Sequence, residues 1–266
     1  MSLNMKVSVF QNAGHGLSPD ERLARLRGAL SVQDMDIVVC PELFMSGYNV
    51  GENIRSLAEP VDGAFSEKVA AVARETGTAI IYGYPEREGE RCYNSALCVA
   101  SNGETIANHR KLRIPPGFEG DYFDRGDAMT VFELNGMRCA ILVCYDAEFP
   151  ETVRGAAMAG AQMVFVPTAL SENWPSVARQ LMPTRAFENG VWLLYANHAG
   201  HENGINYLGE SCIVAPDGSD VARADKNEQL IWAKIDMAHV ETAQKRLPYL
   251  VDVVDLAGCP GDGSVI

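Results

Sequence analysis

Short apolar runs alternate with amphipathic segments along the chain. The runs 36–40, 78–84 and 161–168 are rich in β-branched residues and are typical of strands that a sheet buries on both faces. The segments 19–33 and 65–77 instead repeat apolar residues at helical spacing, and the second ends at a glycine that suits a helix C-terminus. Strands interleaved with helices in this way predict an α/β fold.

Two Asn-Gly pairs predict hairpins in addition to helical crossovers. Asn102-Gly103 and Asn135-Gly136 each lie between two apolar runs, and such pairs favour the tight turns that join antiparallel strands. We therefore expect either one mixed sheet or two sheets. The apolar runs on either side of the two turns are 93–101 with 104–111 and 130–134 with 137–144.

The second half of the chain continues the alternation. A helix is predicted near Pro150, and the helical pattern of 177–190 is expected to kink or break at Pro183. No linker and no repeat of fixed period is visible, so we predict one domain over 1–266 that ends in an extended tail, 257–266. The remaining predictions are strands at 6–12, 191–198, 209–215 and 230–236 and a final helix at 237–247.

Composition and charge restrict the classes of function. The chain has 266 residues, of which 47% are hydrophobic and 21% charged, as in an ordinary soluble globular protein. Its formal net charge of -13 argues against nucleic acid or an anionic membrane surface as the main partner. No apolar run approaches the length of a membrane span and no signal pattern opens the sequence, so a cytoplasmic protein is expected.

The seven cysteines are irregularly spaced, which predicts reduced thiols rather than a disulfide framework. Neither a C-x-x-C pair nor an H-x-x-x-H spacing occurs, so no metal site is expected. Cys40, Cys98, Cys139 and Cys212 each lie in an apolar context and are predicted to be buried core residues.

Three residues with chemical potential follow predicted strands, namely Glu42, Lys111 and Cys144. Catalytic groups in open α/β sheets tend to lie just beyond the carboxyl ends of strands. A cysteine nucleophile needs a base for its proton and a cation near its charge. Spacing alone leaves other interpretations open: Cys144 as a packed core thiol, Lys111 as part of a solvated basic loop, and Glu42 as an exposed acid.

Other cysteine chemistries find less support in the sequence. A phosphatase-type loop needs an arginine six positions after the cysteine, where this chain has Pro150. A papain-like site needs a histidine base, and His109 and His198 remain open for that role although neither has supporting flanks. The motifs of serine hydrolases and of P-loop proteins are absent.

Read with their flanks, the three residues resemble the signature blocks of the nitrilase superfamily of carbon–nitrogen hydrolases. The blocks are PELFMSGY at 41–48, HRKLRIP at 109–115 and CYDAEFPE at 144–151, and they occur in the family's order. The resemblance implies a four-layer α-β-β-α sandwich that pairs into a homodimer or a higher homo-oligomer. It also implies a small amide as the substrate and no metal or organic cofactor.

The resemblance further implies a role for each matching residue. Glu42 would be the general base, Lys111 the cation beside the developing oxyanion, and Cys144 the nucleophile. Glu119 matches a second acid that many members carry, and the backbone N–H of Tyr145 would be the other oxyanion donor. An amide would then be converted to a carboxylic acid and ammonia through a thioester.

The residues after the cysteine indicate the branch of the family. Nitrile-hydrolysing members usually have Trp-Glu there, whereas Tyr145-Asp146 is similar to the amidase-like and carbamoylase-like branches. The ω-amidases, which cleave monoamides of dicarboxylic acids, typically have arginine where this chain has Glu148, so an anionic substrate is disfavoured. The first hypothesis is therefore a small aliphatic or amino-acid-type amide. The alternatives are an N-carbamoyl compound, then a nitrilase, an N-acyltransferase or a non-catalytic member.

Three further residues are candidates for the substrate pocket. Trp174 follows a predicted strand where the family often has a pocket wall, although an isolated tryptophan is more often a core residue. Asn173 and Tyr48 are candidates on the same ground, and Glu148 is either a pocket residue or a solvated acid.

Overall fold

The computed structural model describes residues 4–256, so the tail expected at 257–266 lies outside the described residues. In chain order the described strands are β1 (Asn4–Gln11), β2 (Ile37–Val39), β3 (Ala79–Glu88), β4 (Arg91–Val99), β5 (Thr105–Arg110), β6 (Thr130–Leu134), β7 (Met137–Ile141), β8 (Met163–Pro167), β9 (Trp192–Ala196), β10 (His201–Glu202), β11 (Ile205–Asn206), β12 (Cys212–Val214), β13 (Asp220–Arg223) and β14 (Gln229–Asp236). The described helices are α1 (Pro19–Leu30), α2 (Asn53–Leu57), α3 (Ala64–Thr76), α4 (Phe118–Tyr122), α5 (Pro150–Met158), α6 (Met182–Asn189), α7 (Ala238–Arg246) and α8 (Tyr249–Leu256).

Two six-stranded sheets share one arrangement of strands. The first sheet runs β14-β1-β2-β3-β4-β5 and the second β6-β7-β8-β9-β12-β13. In each sheet, three parallel strands have one antiparallel neighbour on one side and two on the other. The sequence shows no periodic repeat, so this repetition is one of topology, not of residues.

The sheets pack face to face because alternate residues of their central strands point to opposite sides. Ile37 and Val39 of β2 face the layer between the sheets together with Phe165 of β8, whereas Val38 and Val164 face the outer helices. Helices α1 and α3 cover the first sheet, and α5 and α6 cover the second. The fold is therefore the four-layer α-β-β-α sandwich that was predicted.

Several local predictions can be compared with the structure. Cys40, Cys98, Cys139 and Cys212 are all fully buried, as expected. The helical pattern of 177–190 breaks as predicted, because a π-helical turn, Val177–Leu181, precedes α6, in which Pro183 lies in the first turn. Helix α8 and the half-exposed strand β13 were not predicted, since neither carries a clear periodic pattern. Among residues 4–256, no helix is long and apolar enough to cross a membrane.

Candidate active site

Glu42 lies in a tight loop after β2 that packs on β3. The backbone N–H of Gly83 donates to the carbonyl of Pro41 at 3.1 Å, and that of Met45 donates to the carbonyl of Gly83 at 3.1 Å. A Cβ atom at Gly83 would lie 2.7 Å from Cα of Glu42 and 2.3 Å from N of Leu43, closer than real Cβ contacts. Glycine is thus required on β3 so that the loop can approach, and the sequence analysis did not identify it.

Lys111 follows β5 and joins two buried carboxylates. Its Nζ donates to Oε1 of Glu42 at 2.6 Å and to Oε1 and Oε2 of Glu119 at 2.6 and 2.7 Å. Glu119 lies in α4, so the three groups come from separate elements. Each is at most 1% exposed. The interpretations of Lys111 as a solvated loop residue and of Glu42 as an exposed acid are therefore wrong.

Two further side chains complete this cluster. Asn94, in β4, donates through Nδ2 to Oε1 of Glu42 at 2.7 Å and to Oε2 of Glu119 at 3.0 Å. The hydroxyl of Tyr48 donates to Oε1 of Glu119 at 2.7 Å. Asn94 is fully buried, and the sequence analysis missed it. The signal for Asn94 in the sequence was an amide within a largely apolar strand, because buried polar groups need partners.

One cation between two buried carboxylates leaves the cluster with an acid in excess. Burial raises the pKa of Glu42 to about 7; Lys111 opposes the rise, and the negative charge of Glu119 adds to it. Burial by itself lowers the pKa of Lys111, but the charges of Glu119 and Glu42 outweigh it and raise that pKa well above its usual range. Glu42 therefore exchanges a proton near neutral pH while Lys111 remains charged.

Cys144 opens a short 3-10 turn, Cys144–Glu148, three residues beyond the last residue of β7. Its φ of 46° lies in the left-handed region, which is uncommon for a residue with a side chain and frequent at functional sites. Burial first, and then the charge of Glu42, raise the pKa of the Cys144 thiol. The resting thiol is therefore protonated and needs a base.

Asp146 ties the turn of Cys144 to the loop of Lys111. Its carboxylate accepts the backbone N–H groups of Val143 at 3.1 Å, Leu112 at 3.0 Å and Arg113 at 2.8 Å. Nε2 of His109 lies 3.2 Å from the same carboxylate. A single buried side chain thus fixes the turn of Cys144 relative to the loop of Lys111, a contact that was not predicted from the sequence.

Neither histidine that the sequence left open as a base is bonded to the thiol in the described part of the chain. The two ring nitrogens of His109 lie 3.1 Å from Oγ1 of Thr130 and 3.2 Å from Asp146. His198 has its Nε2 2.7 Å from the backbone carbonyl of Glu42, and burial lowers its pKa to about 3. Both histidines therefore support the loops rather than face Cys144.

A cavity of about 730 Å³ is lined in part by Cys144. Such a volume suits a small molecule. Cys144, Tyr145 and Glu119 line it, so the thiol is not a packed core group. The four pocket candidates also line it, and Trp174 is 65% exposed, which rules out a core role. These candidates are Tyr48, Glu148, Asn173 and Trp174.

A small hairpin, β10 with β11, forms one wall of the cavity through Gly204, Ile205 and Asn206. Its position is set from the first sheet's side, since buried Arg22 of α1 pairs with buried Glu202 of β10. The turn between β10 and β11 is also held by two reciprocal hydrogen bonds to residues 48–49. Nδ2 of Asn49 donates to the carbonyl of Asn203 at 2.8 Å, and Nδ2 of Asn203 donates to the carbonyl of Tyr48 at 2.9 Å.

Within residues 4–256, no group of three or more His, Cys, Asp or Glu side chains is arranged to hold a metal ion. The described cavity lining contains the thiol and three carboxylates, and Lys111 is bonded to one of these carboxylates, that of Glu119.

Comparison with known proteins identifies the class that this fold and this cluster define. The model of the carbon-nitrogen hydrolase family matches residues 9–245, which is most of the sequence. The chain therefore belongs to the carbon-nitrogen hydrolase family, and its relatives include amidases.

Relatives and solved structures narrow the class further. A protein of Pseudomonas protegens named hydrolase in pqqF 5′region is 39% identical over 93% of this chain and 88% of its own length. An (R)-stereoselective amidase of a Pseudomonas species is 30% identical over 93% of this chain and 91% of its own length. The structure of an amidase from Nesterenkonia sp. has a TM-score of 0.82 at 32% identity and covers 91% of this chain and 94% of that chain. The protein is thus an amidase-like enzyme acting on carbon–nitrogen bonds.

Two other structures of the Nesterenkonia enzyme contain small amides. In one variant, the acetamide moiety of fluoroacetamide is added covalently at the active-site cysteine. Another variant is in complex with butyramide. Both have a TM-score of 0.82 to this chain.

Proposed function

We propose that the protein hydrolyses a small aliphatic or amino-acid-type amide to a carboxylic acid and ammonia, through a thioester on Cys144. The observation that carries this proposal is the placement of Cys144 at the floor of a cavity, next to a buried cluster of one ammonium and two carboxylates. The acetamide moiety joined to the cysteine of the similar Nesterenkonia enzyme supports the part of this proposal that makes the cysteine a nucleophile next to a small amide.

The first half-reaction forms the thioester. The sulfur of Cys144 attacks the carbonyl carbon while Glu42 accepts the thiol proton, a transfer that its pKa of about 7 makes feasible at neutral pH. Lys111 and the backbone N–H of Tyr145 stabilise the negative oxygen of the tetrahedral intermediate. Protonated Glu42 then gives its proton to the nitrogen, the carbon–nitrogen bond breaks, and ammonia leaves.

The second half-reaction releases the acid. Glu42 deprotonates a water molecule, which attacks the thioester carbon, and the same donors hold the second oxyanion. The carbon–sulfur bond breaks, and the sulfur takes back the proton from Glu42. The sum is amide plus water to carboxylic acid plus ammonia. Glu119 contributes by fixing Nζ of Lys111, to which both of its oxygens are bonded.

The alternatives differ in their products. Hydrolysis of an N-carbamoyl compound would release carbon dioxide together with ammonia and an amine. A nitrile substrate would need two waters, and an N-acyltransferase would pass the acyl group to an amine. In a non-catalytic member, the buried excess acid beside Cys144 would cost stability without serving a reaction.

The decisive experiment measures ammonia release from a panel of small amides, N-carbamoyl amino acids and nitriles, with carbon dioxide followed in parallel. We expect release from the amides without carbon dioxide. The Cys144→Ala variant should lose the activity, and rapid quenching of the wild type should reveal a protein mass increased by one acyl group.

The matched control is Cys212→Ala, which removes a fully buried thiol from β12, away from the cavity lining. It should retain the activity. Release from the Cys144→Ala variant at the wild-type rate would exclude the thioester route. Carbon dioxide in proportion to ammonia would favour the N-carbamoyl alternative instead.

A further inference from the structure

The lining of the cavity has an unbalanced charge. Among the described residues, its lining includes three carboxylates and no lysine or arginine. Glu119 is balanced, since both its oxygens accept from Lys111. Glu148 and Glu172 have no cation within salt-bridge distance in the described chain, so neither of these two lining carboxylates is ion-paired.

Glu148 lies on the same turn as the nucleophile, four residues after it. The nearest arginine serves the backbone rather than this carboxylate. Nη2 of Arg185 donates to the carbonyl of Glu148 at 2.7 Å, and Nη1 pairs with Glu188 at 3.0 Å. Burial raises the pKa of the Glu148 carboxyl, with Lys111 and Arg185 opposing. A partly buried acid without a partner is costly, and a cationic ligand would relieve that cost.

Glu172 and Trp174 add a further carboxylate and an exposed aromatic ring to the cavity lining. Oε1 of Glu172 accepts from Nδ2 of Asn206 at 2.9 Å. This bond to the wall hairpin orients the Glu172 carboxylate. Trp174 is 65% exposed, so a ring face is available to a ligand. A carboxylate beside an exposed aromatic ring is a common way to bind an ammonium group.

We propose that the substrate's acyl group carries a positive charge, such as an ammonium or protonated amine, which Glu148 binds close to Cys144 with Glu172 and Trp174 at the entrance. This inference rests on the proposed amide hydrolysis and specifies the substrate class. An acyl group ending in a carboxylate would meet two uncompensated negative charges, whereas a cation would gain from both. Discrimination here depends on charge more than on size.

The test compares three amides of similar length that differ at the far end of the acyl chain. These are γ-aminobutyramide, which ends in an ammonium group, valeramide, which ends in a methyl group, and glutaramate, which ends in a carboxylate. We expect kcat/KM for γ-aminobutyramide to exceed that for valeramide by about 10- to 100-fold, as for a charge-assisted hydrogen bond in a partly buried site. Glutaramate should be the poorest substrate.

Variants of Glu148 and Glu172 test whether these residues cause the preference for the cationic amide. Glu148→Gln should reduce the ratio of γ-aminobutyramide to valeramide to within about threefold, and Glu148→Arg should invert the preference in favour of glutaramate. Glu172→Gln should reduce the ratio less, since the residue is exposed. The control Glu133→Gln makes the same change on the exposed side of β6 and should leave the ratio as it is.

The outcomes separate this inference from the proposed function. Equal kcat/KM for γ-aminobutyramide and valeramide, or a ratio that survives Glu148→Arg, would overturn the charge preference while amide hydrolysis stands. If none of the three amides releases ammonia, hydrolysis of such amides fails. Calorimetric titration of the wild type with γ-aminobutyramide and valeramide then still decides the charge preference, which requires tighter binding of the former.

Discussion

The two sheets have the same order of parallel and antiparallel strands, but they contribute different parts of the site. The first carries Glu42 after β2, Asn94 in β4 and Lys111 after β5, a set of charged and polar groups that is fully buried. The second carries the turn of Cys144, whose thiol opens to the cavity. A repeated architecture therefore does not repeat its chemistry.

The comparison is closest at the middle strand of each sheet. Glu42 comes three residues after the end of β2 and Thr168 directly after the end of β8, so each follows the middle one of the three parallel strands in its sheet. They also meet, since the N–H of Glu42 donates to the carbonyl of Thr168 at 3.3 Å. In the proposed mechanism, the buried groups of the first sheet, here called the dry side, would transfer the proton, whereas Cys144 on the second sheet would contact the substrate from the open side.

The largest effect is expected from Glu42→Gln, which removes the base on the dry side. We expect kcat to fall by about 10²- to 10⁴-fold, as for loss of a general base. Oε1 of glutamine can still accept from Lys111 and Asn94, and the amide nitrogen takes the place of Oε2, which has no partner. Steady-state kinetics and a thermal melt together check this.

The change should not destabilise the fold. The pKa of Glu42 in the folded protein, about 7, lies above its ordinary value of 4.5. Folding therefore favours the protonated form, and this contribution to stability is lost as pH rises from the unfolded toward the folded pKa. Glutamine stays neutral, so at pH 8 its melting temperature should be at least that of the wild type. A lower one, or retained activity, contradicts the assignment.

A smaller but still large effect is expected from Asp146→Asn, which weakens the link between the two sides. An asparagine retains one accepting oxygen, so two of the four N–H groups now on the carboxylate lose their partner. Unmet buried donors cost about 1–3 kcal/mol each, and we expect the free energy of unfolding to fall by about 3 kcal/mol.

Urea unfolding measures this loss, with Asp127→Asn as the control because Asp127 is exposed. The control should change the free energy of unfolding by less than about 0.5 kcal/mol. Activity of the Asp146 variant should fall as well, since the turn of Cys144 loses its tie to the loop of Lys111. Unchanged unfolding would mean that the two loops are held together by other contacts.

A smaller effect is expected from Glu119→Gln, which should shift the pH dependence of kcat/KM. Wild-type kcat/KM should rise with pH and level off above an apparent pKa near 7, because only ionised Glu42 accepts the thiol proton. Glu119→Gln removes a negative charge that raises this pKa, so the rising limb should move to lower pH, by about one unit. A limb that stays in place would point to another group as the base.

The smallest effect is expected from Tyr48→Phe, which removes only the hydroxyl donor to Glu119. A hydrogen bond to a charged group contributes about 1.5–3 kcal/mol, and because Lys111 and Asn94 still hold the carboxylate, we expect a loss at or below the lower end of this range. kcat/KM should therefore fall about tenfold or less, and the melting temperature by a few degrees. A loss as large as that of Glu42→Gln would indicate that Tyr48 itself touches the reacting atoms.

Much of the fold and part of the candidate site were predictable from local sequence patterns. Apolar runs and helical spacing predicted the α/β class, and the three blocks around Glu42, Lys111 and Cys144 predicted the four layers. Asn94 and Gly83 were not predicted, because their importance arises from contacts with the loop of Glu42, which is 52 residues from Asn94. The tie through Asp146 spans 34 residues to Leu112. Such pairings depend on the assembled sheets, which no local window of sequence contains.

Strand β14 adds a consequence for the protein's synthesis. It pairs with β1 along its whole length, from Asn4 opposite Asp236 to Gln11 opposite Gln229. The first sheet thus has its outer edge supplied by a segment that is synthesised long after β1. A growing chain exposes β1 and already contains Glu42, Lys111 and Cys144 before that edge is closed, so we expect catalytic competence to arise only after residue 236 has emerged.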